Sequence, residues 1–213
     1  MVTAMQPSPA VKPSLATKGA ATRRAILDAA IARFGREGYR ATSVADIARD
    51  ADVGGTVPYA YFDGKEALFL AAVDEDAAAV IHEGVDTLLD TATVKAEWRQ
   101  TLIFTLVGAV QHHPLAGRLL AGLEPDVTAR VLDIPALAEL RKACADRLSA
   151  EQLAGTVRAD IDATTIANGV VSIMLSLLMS VVQLGTETAG AYVQDIAAVF
   201  QAALEPPPPA GRN

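Results

Sequence analysis

TSVADIARDADVGGTVPYAYFDGKEALF, running from Thr42 to Phe69, is the stretch whose reading decides the fold. Ser43 is followed three residues later by Asp46, a capping-box-like pair that satisfies orphan N–H groups at a helix start. A helix therefore begins near Thr42 or Ser43. Val44, Ile47, Ala48 and Ala51 recur at three- and four-residue spacing and give it one apolar face to bury. The pattern breaks from Asp52 to Gly55, because paired glycines at Gly54 and Gly55 cost helix stability and permit unusual backbone angles. Pro58 lacks an N–H, which is harmless only in a first helical turn. That predicts a second helix capped at Gly55 or Thr56 and filled by Tyr59, Ala60, Tyr61 and Phe62. Two short helices about a tight break form a helix-turn-helix, a device for placing the second helix in the DNA major groove.

The surrounding segment, Thr22 to Ala72, resembles the DNA-binding domain of TetR-family (TetR/AcrR-like) transcriptional regulators, through ILDAAIARFGREGYRATSVADIARDADV and then YAYFDGKEALF. The Phe-x-x-x-Gly-Tyr-x-x-Thr-Ser run, the Asp-Ile-Ala, the Tyr-x-Tyr-Phe and the Lys-Glu-x-Leu all fall in register without a gap. The resemblance implies an all-α chain: an N-terminal three-helix helix-turn-helix DNA-binding domain followed by a larger helical ligand-binding and dimerisation domain. It also implies that Thr42 and Ser43 lie near the phosphate backbone, that Tyr59 and Lys65 contact phosphate, and that Gly55, Thr56 and Tyr61 approach bases or backbone. Where many members carry a serine, a lysine and a glycine at the mouth of the second helix, this chain has Gly54, Gly55 and Thr56. Where leucine is usual it has Pro58. Base readout is then thin: a glycine offers only backbone and close approach, Thr56 offers a hydroxyl or a methyl contact, and sequence choice leans partly on DNA shape.

Taken singly, these residues have plainer readings. Tyr59, Tyr61 and Phe62 at helical spacing suit a core, since buried aromatics dominate packing. Phe62 is expected to be core, while Tyr59 is expected to keep its hydroxyl wet as a phosphate donor. Lys65 beside Glu66 reads alone as a solvated helix start of little energetic worth.

Charge locates the DNA face. From Met1 to Arg49 there are eight basic residues (Lys12, Lys18, Arg23, Arg24, Arg33, Arg36, Arg40, Arg49) against three acidic ones (Asp28, Glu37, Asp46), in a chain whose net charge is −7. A basic front on an acidic body orients the molecule on DNA and argues against a nonspecific nucleic-acid coat. Arg23 and Arg24, at the start of the first helix, are either solvated or within reach of phosphate.

With 213 residues and 51% hydrophobic content, the chain can bury a substantial core, divided into one small helical domain and one large one. The expected division is a flexible arm over 1–18, the DNA-binding domain over 19–66, the effector-binding and dimerisation domain over 67–204, and a Pro-rich disordered tail over 205–213. Residues 1–17 show no apolar run of the kind a secretory signal has, and the tail carries four consecutive prolines. A single cysteine, Cys144, excludes an internal disulfide and fits a reducing cytoplasm.

Helical periodicity continues over 65–90, 94–113, 115–123, 125–132, 135–154, 162–184 and 187–204, with Pro114, Pro125, Pro135 and Gly155 at the breaks. The helix around Leu102 to Val110 is apolar on nearly every side, which predicts a central helix surrounded by others. VVSIMLSLLMSVVQL, Val170 to Leu184, is the strongest apolar run, but its fifteen residues fall short of the roughly twenty that a spanning helix needs. It reads as a helix buried against its own domain and against a partner chain, with no membrane. Thr164, Asn168, Ser172, Ser176 and Ser180 form a small polar stripe that favours close packing over a pocket. Tyr192, Ile196, Val199 and Ala203 line one face of the last helix, so the last two long helices suit a homodimer interface. Such a dimer reads a pseudo-palindromic double-stranded operator.

The resemblance implies a small-molecule effector in the second domain. Trp98, Phe104, Val107, His112, Leu120, Cys144 and Met174 are candidate lining residues, each also compatible with a plain core or surface role. Few charges interrupt the central helices, which suits an apolar ligand, while Arg141 and Lys142 leave an anionic one open. No catalytic constellation stands out. His112 and His113 are adjacent and do not aim both rings at one metal, and a helical His-x-x-x-His pattern is absent from the sequence. The expectation is a cytoplasmic one-component transcriptional regulator with no cofactor, most simply a repressor released by ligand. A ligand-independent DNA-binding regulator and a helical ligand-binding dimer that no longer reads DNA specifically are the alternatives.

Overall fold

A computed structural model of the chain describes residues 15–89 and 98–206. Over these residues the expected all-α architecture holds, a small N-terminal head joined to a larger helical body. The helices are α1 (Leu15–Ala41), α2 (Val44–Asp50), α3 (Gly64–Leu89), α4 (Trp98–Val110), α5 (Pro114–Leu120), α6 (Pro125–Thr128), α7 (Pro135–Leu153), α8 (Ala163–Leu184) and α9 (Thr186–Leu204). A 3-10 turn at Val57–Ala60 lies between α2 and α3, and another at Ala129–Asp133 follows α6.

α1 starts at Leu15, inside the stretch expected to be a loose arm. Ala16, Ala20, Ala21 and Ala25 explain the extension, because alanine has the highest helix propensity. The rest of the expected arm, and all but the first two residues of the expected tail, lie outside the described residues. Near its other end α1 kinks at Gly38, whose φ of 82° is left-handed and suits glycine. The Thr42 hydroxyl donates to the Gly38 carbonyl oxygen at 2.9 Å and closes the kink. Ser43 then caps α2 as its spacing predicts, accepting from the Asp46 N–H at 3.1 Å, and Val44, Ile47 and Ala48 are buried.

The helix expected over Tyr59 to Phe62 is instead the single 3-10 turn. Pro58 contributes no N–H to a helical ladder, and Gly64, with a left-handed φ of 86°, ends the segment before α3. The bonds that remain are mostly three residues apart: Val57 N–H to Gly54 O at 2.9 Å, Tyr59 N–H to Thr56 O at 3.3 Å, Tyr61 N–H to Pro58 O at 3.0 Å.

The head core is built by Ile26, Leu27, Ala30 and Phe34 of α1, Ile47 of α2, Phe62, and Leu68, Phe69, Ala72 and Val73 of α3, with Leu115 and Leu119 of α5. Phe34 and Phe69 meet edge to face at 4.9 Å. The head is therefore not closed at residue 66: α3 runs on unbroken into the body, and α5 completes the head core. α5 is also pinned tightly. A Cβ on Gly35 of α1 would stand 2.7 Å from Pro114 Cβ and 2.9 Å from the Pro114 carbonyl carbon, so glycine alone permits this crossing.

The body core joins the inner faces of α3, α4, α5, α7 and α8. α4 is not the central helix its composition predicts. Leu102, Ile103, Leu106, Ala109 and Val110 are buried against the bundle, yet Phe104 is 56% exposed, so among the described residues one side of α4 stays uncovered. The central position belongs to α3, which packs on α1, α4, α5 and α7. α8 is long and apolar enough to cross a membrane, but Ala167, Val170, Val171, Met174, Leu177 and Leu178 are buried within the bundle. Its opposite face carries exposed Asn168, Gly169, Ser172 and Ser176. The serine hydroxyls of Ser172, Ser176 and Ser180 each donate to the carbonyl oxygen four residues earlier, at 2.8–3.1 Å.

Candidate functional site

Two features are candidates: the outer surface of the head and a cavity in the body, with α5 packed between the head core and the cavity. On the head, Ser43, Gly54, Gly55, Thr56 and Tyr59 are exposed, Tyr59 by 58%. Pro58 is buried and anchors the turn from below, while Phe62 is 7% exposed and packs into the head core. Neither Gly54 nor Gly55 has a positive φ, and a Cβ at Gly55 would meet nothing within 4 Å. The fold itself has no need of glycine there.

Two of the residues expected at DNA face inward. Thr42 is 2% exposed and its hydroxyl is spent on Gly38 O, so its side chain does not reach the surface. Tyr61 is half-buried against the head core, its hydroxyl 3.8 Å from the Cβ position of Gly19 on α1. Lys65 sits in the first turn of α3 with its ammonium 4.4 Å from the centre of the Tyr39 ring. That cation–π contact holds the charge in place at the head surface.

The basic front is partly neutralised. Arg24 pairs with Asp28 and Glu75, Arg33 with Asp50 and Glu37, Arg36 with Glu37, and Arg49 with Asp46. The Arg33 fork on Asp50 is bidentate, at 2.6 and 3.0 Å, and it holds the Asp50 carboxyl below the usual carboxylate range. Asp46 is likewise held low, first by the Ser43 hydroxyl and then by Arg49. The Arg33–Asp50 pair ties α1 to α2 and Arg24–Glu75 ties α1 to α3, while the other pairs lie within one helix. Lys18, Arg23 and Arg40 are exposed and have no carboxylate partner among the described residues.

In the body, a cavity of about 50 Å³ lies between α3 (Ala77, Val80, Ile81), α4 (Leu106), α5 (Ala116, Leu119, Leu120), α7 (Leu137, Leu140) and α8 (Val171, Met174, Leu175, Leu178). Every lining side chain is aliphatic or a thioether. Of the seven candidates from sequence, Leu120 and Met174 line it. Trp98 is buried at the start of α4, donating its indole N–H to Glu151 Oε1 at 2.8 Å. Phe104 faces solvent and Val107 packs on the core away from the cavity. His112 is exposed, its Nδ1 3.1 Å from Gly108 O. Cys144 is fully buried on α7, where desolvation pushes its thiol up to about 12. The aliphatic lining was invisible to sequence reading because a cavity wall and a solid core share one periodicity.

A residue that sequence reading missed joins the two features. Asp76 is 4% exposed, on the apolar stripe of α3 between Val73 and Ala77. Its carboxylate accepts from the N–H groups of Leu115 and Ala116, at 2.9 and 2.8 Å, and faces His113 Nδ1 at 2.8 Å. It ties the start of α5 to α3 where Leu115 enters the head core and Ala116 lines the cavity. A charge on an otherwise apolar helical stripe was the available signal. At the other end of α5, Glu124 accepts from the Tyr39 N–H at 3.1 Å and from Arg118 Nε at 2.7 Å, and Gln183 of α8 donates to Leu120 O at 2.9 Å. Among the described residues, no group of three or more His, Cys, Asp or Glu is placed to hold a metal ion.

Residues 26–72 match the profile of bacterial regulatory proteins, tetR family. No curated protein matches the chain in sequence. Among solved structures, a TetR-family transcriptional regulator from Pectobacterium atrosepticum is 18% identical, with 90% of this chain and 98% of that one covered at a TM-score of 0.68. The fatty acid degradation regulator FadR from Bacillus halodurans is 15% identical, covering 84% and 94% at 0.66. The regulatory protein TetR from Rhodobacter sphaeroides is 16% identical, covering 86% and 98% at 0.63. At these identities the likeness is one of fold, and it extends over head and body together.

Proposed function

Because residues 26–72 of this chain match the model of bacterial regulatory proteins, tetR family, we propose that the protein is a member of that family, a cytoplasmic, one-component transcriptional repressor. It binds a pseudo-palindromic operator as a homodimer and lets go when a small apolar ligand enters the body. The observation that carries this reading is α5, one helix whose residues line an aliphatic cavity and complete the core of the head. A ligand acts only through a difference in affinity between two states. A molecule of ordinary ligand size needs about 300–1,000 Å³, against about 50 Å³ here, so its entry must displace α5 or its neighbours. The head is then released from the spacing that fits DNA.

The lining favours an uncharged aliphatic effector, since no buried polar group awaits a partner there. A fold shared with a regulator of fatty acid degradation agrees with that chemistry. Homodimerisation uses α8 and α9, where Ile173, Leu184, Tyr192 and Val199 are exposed by 42–69% on helices that otherwise bury apolar faces. Ser43, Gly55, Thr56, Tyr59 and Lys65 meet the DNA.

The test is fluorescence-anisotropy binding of the purified protein to the DNA upstream of its own gene, against a scrambled duplex at near-physiological salt. Preference by about a thousandfold or more is expected. Equal weak binding to both, repeated after selection from random duplexes, would sink the repressor reading. The four-residue reading turn gives that rival outcome a concrete basis: a ligand-binding dimer that no longer reads sequence.

A further inference from the structure

The family-matched segment begins at residue 26, yet α1 begins at Leu15, so about three helical turns precede it. These turns lie against the reading turn. Gly19 sits beside the Tyr61 hydroxyl, and the Arg23 guanidinium stacks on the Phe62 ring at 5.0 Å from its centre. Their charge is of one sign: the first acidic residue of the chain is Asp28, after Lys12, Lys18, Arg23 and Arg24. Arg24 is tied to Asp28 and Glu75. Lys18 and Arg23 are exposed with no carboxylate partner among the described residues.

We infer that the N-terminal turns of α1 form a second DNA-contacting arm, with Lys18 and Arg23 on the phosphates that flank the segment facing the reading turn. The inference rests on the DNA-binding reading above and deepens it. Stacking on Phe62 leaves the guanidinium edge free while limiting its rotamers, so less entropy is lost when it grips a phosphate. The Phe62 contact occupies only the face of Arg23, and no carboxylate among the described residues neutralises either cation. The reading turn explains the need: it is four residues long, carries two glycines at its mouth and offers few side chains. Affinity must come from elsewhere, and contacts to phosphate supply it without sequence information.

The experiment is the salt dependence of binding for the full chain and for the double variant Lys18→Gln/Arg23→Gln, each on the upstream duplex and on a scrambled one. Each lost phosphate contact lowers the slope of log K against log salt by about 0.9, so a fall of about 1.8 per protomer is expected. The fall should be equal on both duplexes, leaving their affinity ratio unchanged. The charge-retaining variant Lys18→Arg/Arg23→Lys should restore the slope, which a merely structural role would not do. Both positions are exposed, and an unchanged melting temperature confirms folding. An unchanged slope overturns the arm, and so does a loss confined to the upstream duplex, because that signature belongs to base readout. A wild-type protein with no preference between duplexes but a normal, variant-sensitive slope would keep the arm and overturn the repressor reading. Absence of binding to any duplex at low salt overturns both.

Discussion

Replacing Asp76 with alanine removes the acceptor that joins α3 to the start of α5. Two backbone N–H groups, those of Leu115 and Ala116, lose their partner, and His113 Nδ1 loses its carboxylate. Each buried donor left without an acceptor costs about 1–3 kcal/mol, and hydrogen bonds to a charged group sit in the upper part of that range. Against this, the native structure bears the cost of holding a carboxylate that is 4% exposed, and that cost disappears with the side chain. The balance is a loss of about 2–4 kcal/mol. For a chain of this size, each kcal/mol moves the midpoint by about 2–4 °C, so a drop of about 5–15 °C is expected. Asp76→Asn keeps one carbonyl oxygen for the two N–H groups and should cost about half as much. The assay is thermal and urea unfolding followed by circular dichroism, with wild type, Asp76→Asn and Asp76→Ala side by side. Asp76→Ala within about 0.5 kcal/mol of wild type, well inside ordinary surface-substitution behaviour, would refute the reasoning. So would an asparagine variant less stable than the alanine one.

Four further outcomes are expected. Cys144 is fully buried with its thiol pushed up to about 12, so a thiol reagent at pH 8 should label it only as fast as the protein unfolds. Stability should also fall as pH rises from about 9 towards 12, because the unfolded thiol ionises first; labelling of the native protein at the rate of free cysteine contradicts this. Gly55→Ala should leave the melting temperature unchanged or raise it, since φ is not positive and the added methyl meets open space; a clear fall means the turn does need glycine. Asp50 is held low by Arg33, so its pairing stabilises the head above the ordinary carboxylate value and is lost as pH falls through the lower folded one. Arg33→Gln should therefore flatten the acid limb of a pH-melting profile below about pH 4, and an unchanged limb would count against the pair. Leu137→Phe should narrow the cavity and weaken ligand-induced release of DNA at least tenfold while DNA binding persists; a full response would place the effector elsewhere.

The head was largely readable because its signals are local. Ser43 caps α2 and accepts from Asp46 N–H as the three-residue spacing requires, Phe62 is core, Tyr59 is exposed, and helices of the body begin at Pro114, Pro125 and Pro135 and end just before Gly155. Capping, proline placement and periodicity act over a few residues, so a single chain displays them. Where a local rule had two outcomes the reading went astray. Pro58 is compatible with a helical first turn or a 3-10 turn, and the packing that buries Pro58 goes with the second. Thr42 carried a motif match, yet the kink at Gly38 turned its hydroxyl inward.

The cavity side was mostly hidden. Leu120 and Met174 line the cavity while Trp98, Phe104, Val107, His112 and Cys144 do not, because a periodic pattern tells which face of a helix is apolar and not what stands opposite it. α4 shows this most simply: apolar all round in sequence, it leaves Phe104 exposed among the described residues. Asp76, Gly35 and α5 depend on contacts between residues some forty to eighty positions apart, as in the bond from Asp76 to Leu115 and the meeting of Gly35 with Pro114. The sequence alone determined the helical class, the capped helix and the break that follows it in the head, and the charge of the head. The tertiary structure decided which cations are left free, where the cavity opens and which helix joins it to the head, since those properties belong to pairs of surfaces and local propensity describes only one surface at a time.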